Sequence, residues 1–117
     1  MANAFAPGDD LIFQLESGFG LLRVLAVEGD GPDTIWHLLA YDEFFPDVES
    51  AEAALQQRVL PVRKPHMALT NRAFERTPVA RLGNRSVSEE ELGPYNQWLN
   101  SERHVSDRSA LLMLGIR

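Results

Sequence analysis

At 117 residues, with 44% hydrophobic and 24% charged side chains, the chain has the length and composition of one globular domain able to bury a core unaided. The absence of cysteine excludes disulfides, thiol nucleophiles and thiolate metal sites, and fits a reducing compartment. The net charge of −6 makes nucleic acid an unfavourable partner, because the chain as a whole repels phosphate. No apolar run approaches the roughly 18 residues a membrane span needs. The opening MANAFAPGDD has no basic stretch ahead of an apolar one, so no secretory leader is read and a cytoplasmic location is expected.

Residues 11 to 15, LIFQL, alternate as a strand, with Leu11, Phe13 and Leu15 on one face. Ser17-Gly18 predicts a tight hairpin turn made possible by glycine's tolerance of positive φ. The return strand, FGLLRVLAV at 19 to 27, is apolar on both faces except for Arg23, and EGDGPD at 28 to 33 forms a second turn. A third strand over 34 to 41, TIWHLLAY, completes an antiparallel meander.

After Asp47, a good N-cap, VESAEAALQQR at 48 to 58 reads as a helix, with Val48, Ala51 and Leu55 at helical spacing. VLPVRKP at 59 to 65 is extended, and its two prolines exclude it from the middle of a sheet. Two readings of 66 to 76 stay open: Met67 and Leu69 alternate as in a strand, while Thr70 suits the cap of a short helix through Phe74. A short strand follows within 77 to 87, with Gly83-Asn84 as a turn. Ser88-Glu89-Glu90-Glu91 is a capping box opening a helix whose apolar stripe is Leu92, Tyr95, Trp98 and Leu99. Gly93-Pro94 leaves a later start near Pro94 open as well. For the last segment, from Ser106, a helix capped by Ser106 and closed by Gly115 competes with a buried strand. The fold expected is α+β, a single domain over 1 to 117: an N-terminal antiparallel meander, with a partly closed SH3-like barrel as one form of it, packed by two or three helices.

The stretch PGDDLIFQLESGFGLLRVL resembles the opening of bacterial immunity protein 26-type domains. It shares an early Gly8-Asp9, the Gly18-Phe19-Gly20 step after a hairpin, and the pair Arg23-Val24. The resemblance covers about the first 45 residues and no motif of 53 to 117. It implies a non-enzymatic protein that neutralises a toxin by binding it.

Charge is divided along the chain. Residues 1 to 52 hold eleven acids against Arg23 alone, whereas between 58 and 85 seven bases face only Glu75. The halves either neutralise each other across the fold, or leave an acidic face that attracts a basic partner. A third outcome is self-association, acidic face on basic face. The acidic segment YDEFFPDVES, 41 to 50, is where these readings meet. Tyr41 ends a strand, Pro46 breaks the chain and Asp47 starts a helix. Of Phe44 and Phe45, adjacent on a connection, one is expected to close the core and the other to stay exposed. An aromatic anchor rimmed by carboxylates suits a basic protein partner, so Tyr41, Asp42, Glu43, Phe44, Phe45, Asp47 and Glu49 form the expected partner-binding set.

Catalytic and metal signals are thin. His37, His66 and His104 lie 29 and 38 residues apart in sequence, with neither HExxH nor HxH spacing, so no histidine metal site is expected. His37 is expected as a hydrogen-bonded core or sheet-face residue and His66 as part of a loop. Asp42, Glu43, Asp47 and Glu49 lack the EF-hand pattern, and two phenylalanines stand where a cation loop places small residues. There is no GxSxG elbow, no phosphate-binding glycine loop and no cofactor motif. The alternative is a small hydrolase or lyase with His37 and Asp42 as a general acid/base pair.

Overall fold

The computed structural model describes residues 5 to 115. Five strands form one antiparallel sheet: β1 (Asp9–Leu15), β2 (Gly18–Glu28), β3 (Ile35–Tyr41), β4 (Val62–Thr70) and β5 (Val79–Asn84), in the order β4-β3-β2-β1-β5. Helices α1 (Val48–Gln57), α2 (Asn71–Glu75), α3 (Glu89–Leu99) and α4 (Ala110–Leu114) complete an α+β architecture. The expected meander is its centre. It is not closed into a barrel, because β4 and β5 are opposite edges of the sheet and do not pair.

The sheet buries both faces, which is why β2 reads as a nearly unbroken apolar run. One face, with Leu11, Phe13, Leu22, Val24, Trp36 and Leu38, lies under α2 and α4 through Ala73, Phe74, Ala110 and Leu114. The other, with Ile12, Leu21, Leu25, Leu39 and Tyr41, lies under α1 through Ala51 and Ala54 and receives Phe45 and Leu60.

The first hairpin turns on Glu16-Ser17, not on Ser17-Gly18: Leu15 already pairs with Gly18, and Gly18 has no positive φ. Its glycine is required by close approach. Phe19 and Phe45 exchange backbone hydrogen bonds of 2.8 and 2.9 Å, and a Cβ on Gly18 would stand 2.6 Å from the Phe45 carbonyl oxygen. Gly20 likewise makes room for the Phe13 ring. The Gly-Phe-Gly step is therefore the seat on which the chain leaving β3 crosses the sheet.

Both open readings of 66 to 76 are realised in sequence. β4 runs to Thr70, whose hydroxyl then caps α2 by accepting from the Ala73 amide at 3.1 Å. Pro65 sits in this edge strand, where the register with β3 shifts, as a residue without an N–H demands. Further along, the outer edge of β4 is covered by Ser106, which exchanges backbone bonds with Ala68 and Thr70. Ser106 is thus an edge patch; the cap of α4 is Ser109, and Gly115 closes that helix in the left-handed conformation. The capping box prevails at α3: the helix begins at Glu89, and Pro94 lies inside it.

Asp47 caps α1, its Oδ1 accepting from the Ser50 amide at 2.7 Å. Asp47→Ala should cost about 1 kcal/mol, the usual value of such a cap, seen as a lower urea midpoint with an unchanged slope.

The charge division resolves into contacts across the fold. Asp9 faces Arg81 at 3.9 Å, Asp10 holds Arg85 through two hydrogen bonds of 2.7 and 2.9 Å, Asp42 faces Arg63 at 3.7 Å and Glu43 pairs with Arg58. The acidic and basic halves neutralise each other at these four places.

Candidate functional site

Of the seven residues expected to bind a partner, three are structural. Tyr41 is buried, and its hydroxyl accepts from Arg85 at 3.3 Å. Phe45 is 5% exposed and closes the core beneath α1. Asp47 is the helix cap. Asp42 and Glu43 are at the surface but already paired, Glu43 accepting bonds from both terminal nitrogens of Arg58. That leaves Phe44, 44% exposed, and Glu49, exposed in the first turn of α1. The expectation that one phenylalanine enters the core and the other stays outside is met.

Tertiary structure adds two apolar neighbours to Phe44 that the sequence did not mark. Val59 is 97% exposed and Val62 46%. The Glu43–Arg58 ion pair, the 2.9 Å bond from the Asp42 amide to the Pro61 carbonyl and the Tyr41–Val62 pairing draw residues 41 to 44 and 58 to 62 together. Three of the four large exposed hydrophobic side chains among the described residues therefore gather at one end of β3. Beside them lies a cleft of about 380 Å³ whose wall is apolar at Leu39, Leu55, Leu60 and Val62 and charged at Arg58, Arg85 and Glu90, among others. Glu90 of α3 lines this cleft, and Glu49 and Glu52 on α1 and Glu89 on α3 are exposed as well; none of the four is in an ion pair among the described residues.

A second constellation lies under α3. His37 is fully buried, and its Nε2 contacts Glu28 Oε1 at 2.5 Å while its Nδ1 contacts His66 Nε2 at 2.9 Å. The result is a Glu28–His37–His66 chain across β2, β3 and β4. His66 is thus a strand residue, not a loop residue. Its ring stacks on His37 at 5.2 Å between centroids, and Tyr95 and Trp98 of α3 close over both. Trp98 is anchored by its Nε1–H, which donates to the His104 carbonyl at 2.8 Å. With Glu28 ionised, His37 donates from Nε2 and accepts at Nδ1, so His66 must donate from Nε2. Burial lowers the His37 pKa against the upward pull of the hydrogen bond and charge of Glu28. Burial, His37 and Lys64 together push His66 down to about 4.

The pair His37 and Asp42 is not brought together. His37 takes its carboxylate from Glu28, while Asp42 faces Arg63. None of the three histidines lines any of the five main clefts among the described residues. No group of three metal-binding side chains occurs among the described residues, and no helix among them is long and apolar enough to cross a membrane. Strand period pointed to a sheet-face His37, but nothing in the spacing of 28, 37 and 66 announced that the sheet register would align them. Comparison of the chain with protein-family models, curated proteins and solved structures gives no match.

Proposed function

We propose that this chain is a non-enzymatic protein-binding module of the immunity type, and that its partner is a basic protein docking on the end of β3. The observation that supports this reading is the gathering of Phe44, Val59 and Val62, exposed together beside a cleft of mixed apolar and charged lining. Clustered apolar anchors inside a charged rim are the pattern of a protein interface, whereas singly scattered ones are ordinary surface. The charge complement comes from Glu49, Glu52, Glu89 and Glu90, not from Asp42 and Glu43, whose charges Arg63 and Arg58 already offset. Free carboxylates on α1 and α3 would steer a cationic partner and give the encounter rate a salt dependence. The likeness of the first hairpin to immunity protein 26-type openings points to a toxin as that partner.

The test is a capture experiment comparing wild type with Phe44→Ser/Val59→Ser, and with Leu112→Ser as a control on the remaining large exposed hydrophobic residue. Both substitutions of the first variant are at the surface, so its circular dichroism and thermal midpoint should match wild type. Wild type and Leu112→Ser should retain one basic protein at low salt and release it as salt rises; the double variant should retain none. Equal retention by the double variant would remove this face as the docking site. Asp47→Ala is unsuitable as the probe, since it weakens α1 itself.

A further inference from the structure

The opposite end of β3 holds two adjoining clefts that the docking face does not use. The larger, about 460 Å³, lies between the β2–β3 turn and α2 and is lined by Phe5, Asp30, Trp36, Asn71 and Glu75 among others. The smaller, about 220 Å³, is lined by Phe5, Phe74, Glu75 and Thr77 among others. Phe5 and Glu75 belong to both. The Phe5 ring meets Trp36 and Phe74 edge-on at 6.5 and 6.1 Å, and Trp36 stacks on Phe74 at 4.4 Å. The shared wall is aromatic.

The polar groups are arranged in one sense. The Trp36 Nε1–H donates to Asn71 Oδ1 at 2.9 Å, and the Asn71 Nδ2–H donates to Glu75 Oε1 at 3.2 Å. This chain spends its donors inward, holds the Glu75 carboxylate at the junction of the two clefts and leaves the second oxygen of that carboxylate for a ligand. Thr77 adds an independent sign. It is 4% exposed, and its Oγ1 is the one buried side-chain polar atom without a hydrogen-bond partner among the described residues. A buried hydroxyl left unpaired is costly and calls for a partner. Asp30 contributes another carboxylate to the larger cleft.

We propose that these clefts form a binding site for an alkylammonium group, whether a free amine or the side-chain head of a lysine. The ammonium has only donors to offer, which matches Glu75 and Thr77 Oγ1, and its alkyl stem matches the wall of Phe5 and Phe74. The site stands apart from the docking face, so the two readings succeed or fail separately.

The experiment is a titration of the ¹⁵N-labelled chain with n-butylammonium chloride, read by amide chemical shifts, with neutral n-butanol as the isosteric control. The amides of Phe74, Glu75 and Thr77 should move and saturate at millimolar n-butylammonium, with n-butanol at least about tenfold weaker, the loss of one charge-assisted bond. Glu75→Gln, a surface substitution that keeps a partner for Asn71, should weaken binding by a similar factor. Thr77→Val should weaken it too while raising the thermal midpoint, because it removes the unpaired hydroxyl. Absent or scattered shifts, n-butanol binding as well as the cation, or either variant binding as wild type would overturn the site.

Discussion

Arg23→Met should lose about 3 to 5 kcal/mol of stability, the usual cost of removing one partner from a buried ion pair. Arg23 is 1% exposed on the α3 side of β2, and its guanidinium is fully committed. Its Nε and one terminal nitrogen reach the two Glu91 oxygens at 2.6 and 3.2 Å. The other terminal nitrogen reaches the Gly8 carbonyl at 2.9 Å and Asp10 at 3.3 Å, and the carbonyls of Arg85 and Ser86 accept at 3.1 and 3.0 Å. One side chain thus fastens the segment before β1, the exit of β5 and the start of α3. Partial burial pushes the Glu91 carboxyl up, but the Arg23 and Ser88 hydrogen bonds outweigh it and hold the group below the usual carboxylate range. Methionine fills the stem but leaves Glu91 without its cation, while Asp10 keeps Arg85 as a partner. At roughly 4 °C per kcal/mol for a domain of this size, the thermal midpoint should fall by 10 °C or more.

The companion variants decide the cause. Arg23→Lys should recover little, because an ammonium cannot present five donors in a fixed fork. Arg23→Met combined with Glu91→Gln should be milder than the sum of its parts, since the second change removes a charge the first left unpaired. A thermal midpoint for Arg23→Met within a degree or two of wild type would show that the network contributes little.

The second large effect is on acidification. His37 and His66 both titrate below the ordinary histidine value in the folded chain, whereas in the unfolded chain they titrate near 6.5. Below pH 6.5 the unfolded state therefore binds more protons, and stability must fall as pH falls. For His66 the window runs from 6.5 down to about 4. The contribution lost across it is at most about 3 kcal/mol at 1.36 kcal/mol per unit. The physical event is the loading of charge beneath Tyr95 and Trp98, where a doubly protonated pair has only Glu28 to offset it. Urea midpoints should be flat above pH 7 and decline between pH 6.5 and 5, before Glu91 and Asp107, whose pKa values lie below the usual carboxylate range, begin to protonate. His66→Gln should flatten that decline. A decline of equal slope in His66→Gln would assign it to other groups.

Local chemistry made much of the fold legible. Period-2 alternation in LIFQL, the turn residues of EGDGPD, the Asp47 cap and the Ser88–Glu91 box are all interactions among residues close in sequence, and each appears where its pattern placed it. The ambiguous 66 to 76 stretch was ambiguous for cause: it is a strand and then a helix, joined at Thr70. The first turn was misplaced because a glycine at a hairpin suggests positive φ, while Gly18 is there for the backbone of Phe45, 27 residues on.

The candidate sites were legible only in part, for the same reason. The sequence by itself determined the antiparallel meander, the capped helices, an exposed phenylalanine at 44 or 45 and an acidic half facing a basic half. Tertiary structure alone decided which carboxylates remain free, because Arg58 and Arg63 reach Glu43 and Asp42 only once α1 and β4 fold back on β3. It alone brought Val59 and Val62 beside Phe44, aligned Glu28, His37 and His66 across three strands, and placed Thr77 beside Glu75 in a cleft with Phe5. Caps and turns are written in neighbouring residues. Sheet register and the pairing of distant charges follow from how the whole chain buries its two faces, and no short window of sequence holds that information.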